Sequence, residues 1–140
     1  MSDELPAEHQ RPDGVDHATV EAVGAFTLAM ETAIRARGAL YEFHQLTGKS
    51  DNEVIRAAKM LREAGHESVA DELEREMVGR NLNDRRWTFQ IVEDYESTYY
   101  EPFVERHRRV VDKLVAGRKH QREAEMKADE TTPGAPDQGF

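Results

Sequence analysis

The sequence predicts an all-α protein, arranged as an antiparallel helical bundle with two long helices and two short ones. Three observations predict it. Apolar residues recur at helical spacing through most of the chain. No segment alternates apolar and polar residues as a half-buried strand does, and the β-branched residues are scattered. Glycines and capping residues then divide the helical pattern into separate elements.

The first long helix is predicted over about residues 16–46. Thr47-Gly48 is expected to end it. A helix of this length is unusual in a small globular protein and indicates one side of a bundle or a dimer interface. At about 100° per residue, its apolar stripe consists of Val20, Val23, Thr27, Met30, Ile34, Gly38 and Tyr41.

Two short helices are predicted next, over about residues 51–64 and 67–78. Ser50 and Glu53 have the spacing of a capping box, in which each side chain accepts a hydrogen bond from the backbone of the other. Gly65 is a natural position for a break between the two helices, and Gly79 for the end of the second, because glycine adopts the left-handed conformation easily.

The second long helix is predicted over about residues 84–118, with a kink near Pro102. Proline removes the hydrogen bond to the carbonyl of Thr98 and clashes with it, so the helix is expected to bend there. One face of the ideal helix carries Phe89, Val92, Glu96, Tyr99, Tyr100, Phe103, His107, Val110, Val111 and Leu114.

Both ends of the chain are predicted to be disordered tails. Residues 1–15 and 120–140 are polar, rich in proline and glycine, and contain few apolar residues to bury. One helical domain over residues 16–119 remains, which is long enough for one modest core.

Composition excludes several classes of function. With no cysteine, the chain has no disulfide, catalytic thiolate or cysteine zinc site. The first residues do not combine a basic segment with an apolar one, and no run approaches ~18 apolar residues, so we expect a soluble cytoplasmic protein without membrane contact. The net charge of −9 argues against nucleic-acid binding. A basic cluster, either an anion-binding patch or cations near a helix C-terminus, contains Arg106, Arg108, Arg109, Lys113, Arg118 and Lys119.

A candidate polar site lies on the apolar face of the second long helix. Spacings of four and seven residues place Glu96, Tyr100 and His107 in one row, with Glu93 at its edge. A buried carboxylate requires a partner. The row therefore indicates either a satisfied buried pair or a binding site for a small polar ligand or a metal.

The metal interpretation draws on a second motif. Glu63 and His66 have the Glu-x-x-His spacing that di-iron helical bundles use twice. Only one copy is present, since Val104 stands three residues before His107, and Gly65 lies inside the motif. Glu63, His66, Glu96 and His107 are therefore the candidate metal ligands, and we expect that no cofactor is bound.

Aromatic residues concentrate between residues 87 and 103. They predict either a small-molecule pocket or ordinary core and interface packing. Trp87 and Tyr95 point away from the main stripe, and with Tyr99 they are candidates for contact between subunits. The pocket alternative would be walled by Trp87, Tyr95, Tyr99, Tyr100 and Phe103.

Three segments carry a resemblance to a known family: FHQLTG, REAGHESVADELERE, and GRNLNDRRWTFQIVEDYESTYYEP. Over roughly residues 15–120 the chain resembles a family of small helical actinobacterial proteins with no assigned activity. The resemblance implies a helical fold and transfers no catalytic residues.

Two functions are consistent with these observations. The first is a non-enzymatic helical module that self-associates as a homodimer, because a core of ~105 residues leaves apolar stripes uncovered. The alternative is a metal- or small-ligand-binding bundle, or an enzyme, with its site around Glu96, Tyr100 and His107.

Overall fold

The computed structural model describes residues 5–118 and 120–138, with the backbone alone at Arg122. In this part of the chain all regular secondary structure is helical, and one isolated bridge joins Asn83 to Arg86. The predicted all-α class is confirmed. Predictions for residues 1–4, 139–140 and Lys119 lie outside the described residues. The helices are α1 (His17–Glu63), α2 (Glu67–Glu76), α3 (Thr88–Tyr95), α4 (Glu101–Val115) and α5 (Gln121–Glu130).

Helix α1 is longer than predicted, because it runs unbroken through residues 47–53. The predicted break at Thr47-Gly48 and the capping box at Ser50 are therefore wrong. Thr47 donates its hydroxyl to the carbonyl of Phe43 at 2.8 Å, within the helix. Lys49 and Glu53 pair across one turn at 3.5 Å. One interior glycine costs up to about 1 kcal/mol, which a helix of this length tolerates.

The predicted break at Gly65 is present. Gly65 has φ +92°, and the amide of His66 donates to the carbonyl of Leu61 at 2.8 Å, which closes the end of α1. Helix α2 then ends at Glu76, close to the predicted boundary, and Gly79 has φ +69°. Glycine is needed at both places because other residues adopt positive φ at a cost.

The predicted second long helix begins at Thr88 and contains a π-helical turn over Glu96–Tyr100 between α3 and α4. This turn immediately precedes Pro102, so the interruption predicted there takes the form of a wide turn. Pro102 cannot donate to the carbonyl of Thr98, which removes one α-helical hydrogen bond at this point. Within the turn, the Thr98 hydroxyl donates to the carbonyl of Asp94 at 2.5 Å.

Both predicted tails contain helical structure where they are described. Residues Ala7–His9 form a 3-10 turn, and residues 121–130, predicted to be disordered, form α5. Arg11 donates to both carboxylate oxygens of Glu125, at 2.6 and 2.9 Å, and Ala124 is buried. This contact spans 114 positions in sequence, so no local pattern indicates it.

The chain divides into two compact units. Unit 1 contains residues 5–33 and the described residues from 101 onward, and its core is Val23, Val111 and Val115 with Val15 and Val110 beside it. Unit 2 contains Ile34–Tyr100. Its residues are all described, and they include just four buried ones: Ala58, Ala70, Thr88 and Val92.

Candidate functional site

The residues that the sequence places in one row belong to both units. Glu93, Glu96 and Tyr100 lie in unit 2, on α3 and the π turn, and His107 lies in unit 1, on α4. Each group has its own partners within its unit.

In unit 2, Glu96 is paired with a residue that the sequence analysis did not select. Its carboxylate accepts a hydrogen bond from the Nε–H of Arg37 on α1. The Arg37 guanidinium lies 5.1 Å from the ring centroid of Tyr41 and 4.7 Å from that of Tyr100. These four residues are called the Arg37 cluster. A cation between aromatic faces gains from the ring quadrupoles as well as from the carboxylate.

The Arg37 cluster neutralises its own charges. The hydrogen bond to Glu96 raises the pKa of Arg37, so the guanidinium stays cationic and remains matched to the carboxylate. The Glu96 side chain is 21 % exposed, so it is partly removed from water and requires this partner. The partner of the Glu96 carboxylate is therefore Arg37, a residue outside the predicted row.

Tyr95 adjoins this cluster on α3. Its ring stacks on Tyr99 at 5.4 Å and faces Tyr100 at 6.4 Å between centroids. Burial raises the pKa of the Tyr95 phenol, and the neighbouring Tyr99 and Glu96 raise it further. Glu93 is exposed, and its backbone carbonyl accepts the Ser97 hydroxyl at 3.0 Å.

In unit 1, His107 is half-buried beside α1. Its Nε2 lies 2.9 Å from the Thr27 hydroxyl, and its ring centroid lies 5.7 Å from that of Phe26. Phe26 also stacks on Phe103 at 5.5 Å. A neutral histidine can accept from the threonine, or donate to it, according to its tautomer. This environment is apolar and aromatic.

The Glu-x-x-His motif does not lie on one helix. Helix α1 ends at Glu63, Gly65 turns the chain, and His66 precedes α2. Both side chains are exposed. The spacing aligns two ligands only on a continuous helix. Among the described residues, no three His, Asp or Glu side chains group as a metal site would require.

The interface candidates differ in exposure. Trp87 and Tyr99 are 49 % and 51 % exposed, whereas Tyr95 is half-buried. The Trp87 indole N–H donates to the carbonyl of Gly79 at 3.3 Å. Of the predicted aromatic pocket, Phe103 lies in unit 1, whereas its other four residues lie in unit 2.

Two residues of the basic cluster, Arg108 and Arg109, are paired within their own helix. Arg108 and Arg109 both donate to Glu105, at 2.8 and 3.0 Å, and Arg108 also reaches Asp112 at 3.2 Å. The hydrogen bond from Arg108 lowers the pKa of Glu105. Arg118 donates to the carbonyl of Gln10 at 2.9 Å. Such pairing leaves less free charge for an anion than the sequence alone indicates.

Arg37 was not among the predicted site residues, although the sequence contains a signal for it. Arg37 is a charged residue between Ile34 and Tyr41 at helical spacing, inside the predicted apolar stripe. A charge in such a stripe calls for a partner. The sequence does not identify that partner, since Glu96 is 59 positions away.

Comparison of the chain with family models, with curated proteins and with solved structures gives no match. The resemblance to a helical actinobacterial family stays a prediction. Of the helices described, not one combines the length and the apolar character needed to cross a bilayer.

Proposed function

We propose that the chain is a self-associating helical module that forms a homodimer through unit 2, without catalytic activity. The observation that carries this proposal is the imbalance between buried and exposed apolar residues in that unit. Among residues 34–100, all described, Val92 is the one large apolar side chain that is buried. Twelve are exposed: Ile34, Tyr41, Phe43, Leu46, Ile55, Met60, Val69, Met77, Leu82, Trp87, Phe89 and Tyr99.

Water contact with so many large apolar side chains is unfavourable. Full burial of one such side chain contributes about 1.5–3 kcal/mol. An exposed apolar surface of this extent is typical of an interface. A second copy of the chain presents the same surface and so provides a partner with matching chemistry.

The outer face of α1 has the spacing that helix pairing needs. Within unit 2, alternate steps of three and four residues lead from Ala36 through Phe43 to Met60, and every position on the path is exposed. Steps of this kind are typical of a coiled-coil seam. This seam consists of Ala36, Ala39, Phe43, Leu46, Ser50, Glu53, Ala57 and Met60.

The small residues in the seam support close approach. Alanines at positions 36, 39 and 57 allow two helices to pack tightly, while Phe43, Leu46 and Met60 supply most of the area to be buried. Ser50 and Glu53 interrupt the apolar pattern. Polar residues at seam positions favour one register over others.

We also propose that the helices within each unit pack antiparallel. In unit 2, Arg37 contacts Glu96 while the later His44 lies 2.5 Å from the earlier Thr88. In unit 1, Val23 packs in one core with Val111, and Thr27 bonds His107. In both cases, as residue numbers increase along α1, the residue numbers of the contacted partners decrease.

The alternative function, a metal or ligand site at Glu96, Tyr100 and His107, has no specific observation in its favour. Glu96 is engaged by Arg37, and His107 has Thr27 as a partner. The prediction of that site therefore stays a prediction, and the self-associating module is the function that the exposed surface supports.

The test is the mass of the protein in solution, together with one matched pair of variants. At micromolar concentration we expect twice the chain mass of 16.0 kDa, which is 32.0 kDa. Leu46→Glu should raise the dissociation constant by about tenfold to a hundredfold, since the lost apolar contact occurs twice in a symmetric dimer. Leu46 is 55 % exposed, so the fold should tolerate the change.

Gln45→Glu is the control. It introduces the same charge at the neighbouring exposed position, away from the seam. Sedimentation velocity should show it as dimeric as the unmodified chain. A mass of 16.0 kDa for the unmodified chain at micromolar concentration, or equal weakening by both variants, would contradict the proposal.

A further inference from the structure

Unit 2 contains a cavity that borders the proposed dimer seam at Ser50. Its volume is about 350 Å³. It lies between the middle of α1 and the segment that joins α2 to α3, with Trp87 at the end of that segment. Cavities of roughly 300–1,000 Å³ hold small molecules. The size is therefore sufficient for a small ligand.

The wall of this cavity is held in place by hydrogen bonds to Gly79 from both sides. The Gly79 amide donates to the Asp51 carboxylate at 2.8 Å, and the Gly79 carbonyl accepts the Trp87 indole N–H at 3.3 Å. A further hydrogen bond joins His44 Nδ1 and the Thr88 hydroxyl at 2.5 Å. A cavity whose wall is fixed in advance binds with a smaller entropic cost.

The apolar part of the lining is well suited to a flat ring. Val54, Met77, Leu82 and Trp87 contribute to it. Met77, Leu82 and Trp87 are each between 46 % and 49 % exposed. A ring placed among them would bury apolar area that now contacts water, and an indole face stacks readily on another ring.

The polar part of the lining carries two opposite charges. Asp51 and Arg80 both line the cavity. No ion pair within 4.0 Å joins Arg80 to any acidic side chain in the described part of the chain, Asp51 included. The Arg80 guanidinium makes one long contact of 3.3 Å, to the backbone carbonyl of Glu76. Asp51 has one carboxylate oxygen bonded to Gly79.

We propose that this cavity binds a small zwitterion with a flat apolar part, of the chemical class of an aromatic α-amino acid. Its ammonium group bonds Asp51, its carboxylate bonds Arg80, and its ring packs against Trp87. Each ligand charge meets the opposite charge on the protein, so neither is left unpaired on binding. A ligand with one charge would meet one attractive and one repulsive group.

The only tryptophan of the chain lies in the wall of the cavity, and it provides the measurement. L-Phenylalanine, which does not absorb where tryptophan is excited, is titrated into the full-length protein at millimolar concentrations. We expect a saturable change in Trp87 emission. Phenethylamine, which lacks the carboxylate, and 3-phenylpropionate, which lacks the ammonium group, should each bind at least about tenfold more weakly.

Two variants separate the contributions of the two charges. Asp51→Asn keeps an oxygen that can accept a hydrogen bond from the Gly79 amide. It should weaken the binding of phenylalanine and of phenethylamine, whereas phenylpropionate should bind no more weakly than before. Arg80→Gln should weaken the binding of phenylalanine and of phenylpropionate, whereas phenethylamine should bind no more weakly than before. Glu72→Gln and Arg56→Gln remove the same charges at exposed positions outside the cavity and should bind as the unmodified chain does.

Calorimetry on the same samples covers the case in which binding leaves the emission unchanged. Absence of binding in both measurements, or equal affinity for phenylalanine in Asp51→Asn, Arg80→Gln and the two control variants, would overturn the proposal. The mass of the protein is measured with and without phenylalanine, so that failure to bind phenylalanine and failure to dimerise are observed separately.

Discussion

At the scale of single residues, Arg37 joins two parts of unit 2 that lie 59 positions apart in sequence. Its guanidinium serves a carboxylate and two tyrosine rings at once. A planar, delocalised cation can do this, whereas the compact ammonium of lysine cannot. The Arg37 cluster therefore depends on the shape of the side chain as well as on its charge.

A double-mutant cycle tests the coupling within this cluster. Arg37→Gln and Glu96→Gln should each lower the midpoint of thermal unfolding, because each leaves a partly buried charge without its partner. The double variant should lose less than the sum of the two. Additive losses would show that the pair is not coupled. Arg37→Lys should lower the midpoint almost as much as Arg37→Gln, because the ammonium of lysine cannot serve the carboxylate and both rings at once.

The pairing of Arg11 with Glu125 predicts a pH dependence for α5. The hydrogen bond from Arg11 lowers the pKa of Glu125 below its ordinary 4.5. A lowered folded-state pKa gives stability that is present above the ordinary value and is lost as pH falls through the folded value. Acidification below about pH 4.5 should therefore release this contact.

Glu125→Gln isolates that contribution. Circular dichroism between pH 6 and pH 3 should show the unmodified chain losing more thermal stability than the variant, since other carboxylates titrate alike in both. Identical pH profiles would mean that the Arg11 contact contributes nothing to stability in solution, which is common for partly exposed pairs.

At the scale of elements, the continuity of α1 through Gly48 can be tested by two alanine substitutions. Gly48 is helical, and a methyl group there would have no neighbour within 4 Å. Gly48→Ala should raise the free energy of unfolding by about 0.5–1 kcal/mol. Gly65→Ala should lower it by about 1–2 kcal/mol, because its φ of +92° strains any residue with a side chain. Urea titration measures both, and a loss at Gly48 would contradict a continuous helix.

Local signals predicted two interruptions of the helical pattern where backbone geometry decides them. The breaks at Gly65 and near Pro102 follow from the left-handed conformation of one residue and the missing amide of the other. The capping box predicted at Ser50 is wrong. A side chain that can cap a helix does not by itself end one, and α1 continues through Ser50 with its helical hydrogen bonds intact.

What the sequence could not show depends on contacts between distant positions. Helix α5 packs through Glu125 against Arg11, and Glu96 meets Arg37 across unit 2. Ideal α-helical phasing also placed Glu96, Tyr100 and His107 in one row, yet Glu96 and Tyr100 are the first and last residues of a π turn. A π turn holds more residues than an α turn, so the phase is not maintained across it.

At the scale of the whole molecule, charge and apolar surface act against each other. Each chain carries a net charge of −9, so two copies repel, while the exposed residues of unit 2 favour association. Salt screens the repulsion and strengthens apolar association. The balance between these two effects sets how tightly the proposed dimer forms.

This balance predicts how thermal stability responds to conditions. The midpoint of unfolding should rise with protein concentration, because a dimer is stabilised by mass action. It should rise further when sodium chloride increases from low to physiological concentration. Leu46→Glu should reduce the concentration dependence, and Gln45→Glu should keep it. A midpoint independent of protein concentration in the unmodified chain would rule out the dimer.

The π turn at Glu96–Tyr100 has a consequence for changes in chain length. Such a turn accommodates one residue more than the same stretch of α-helix. Deleting the exposed Ser97 would let this segment close as regular α-helix, while α3 and α4 each keep their own hydrogen bonds. The turn is thus the position where the helix is expected to absorb a single-residue deletion, and length variants of this protein should differ there first.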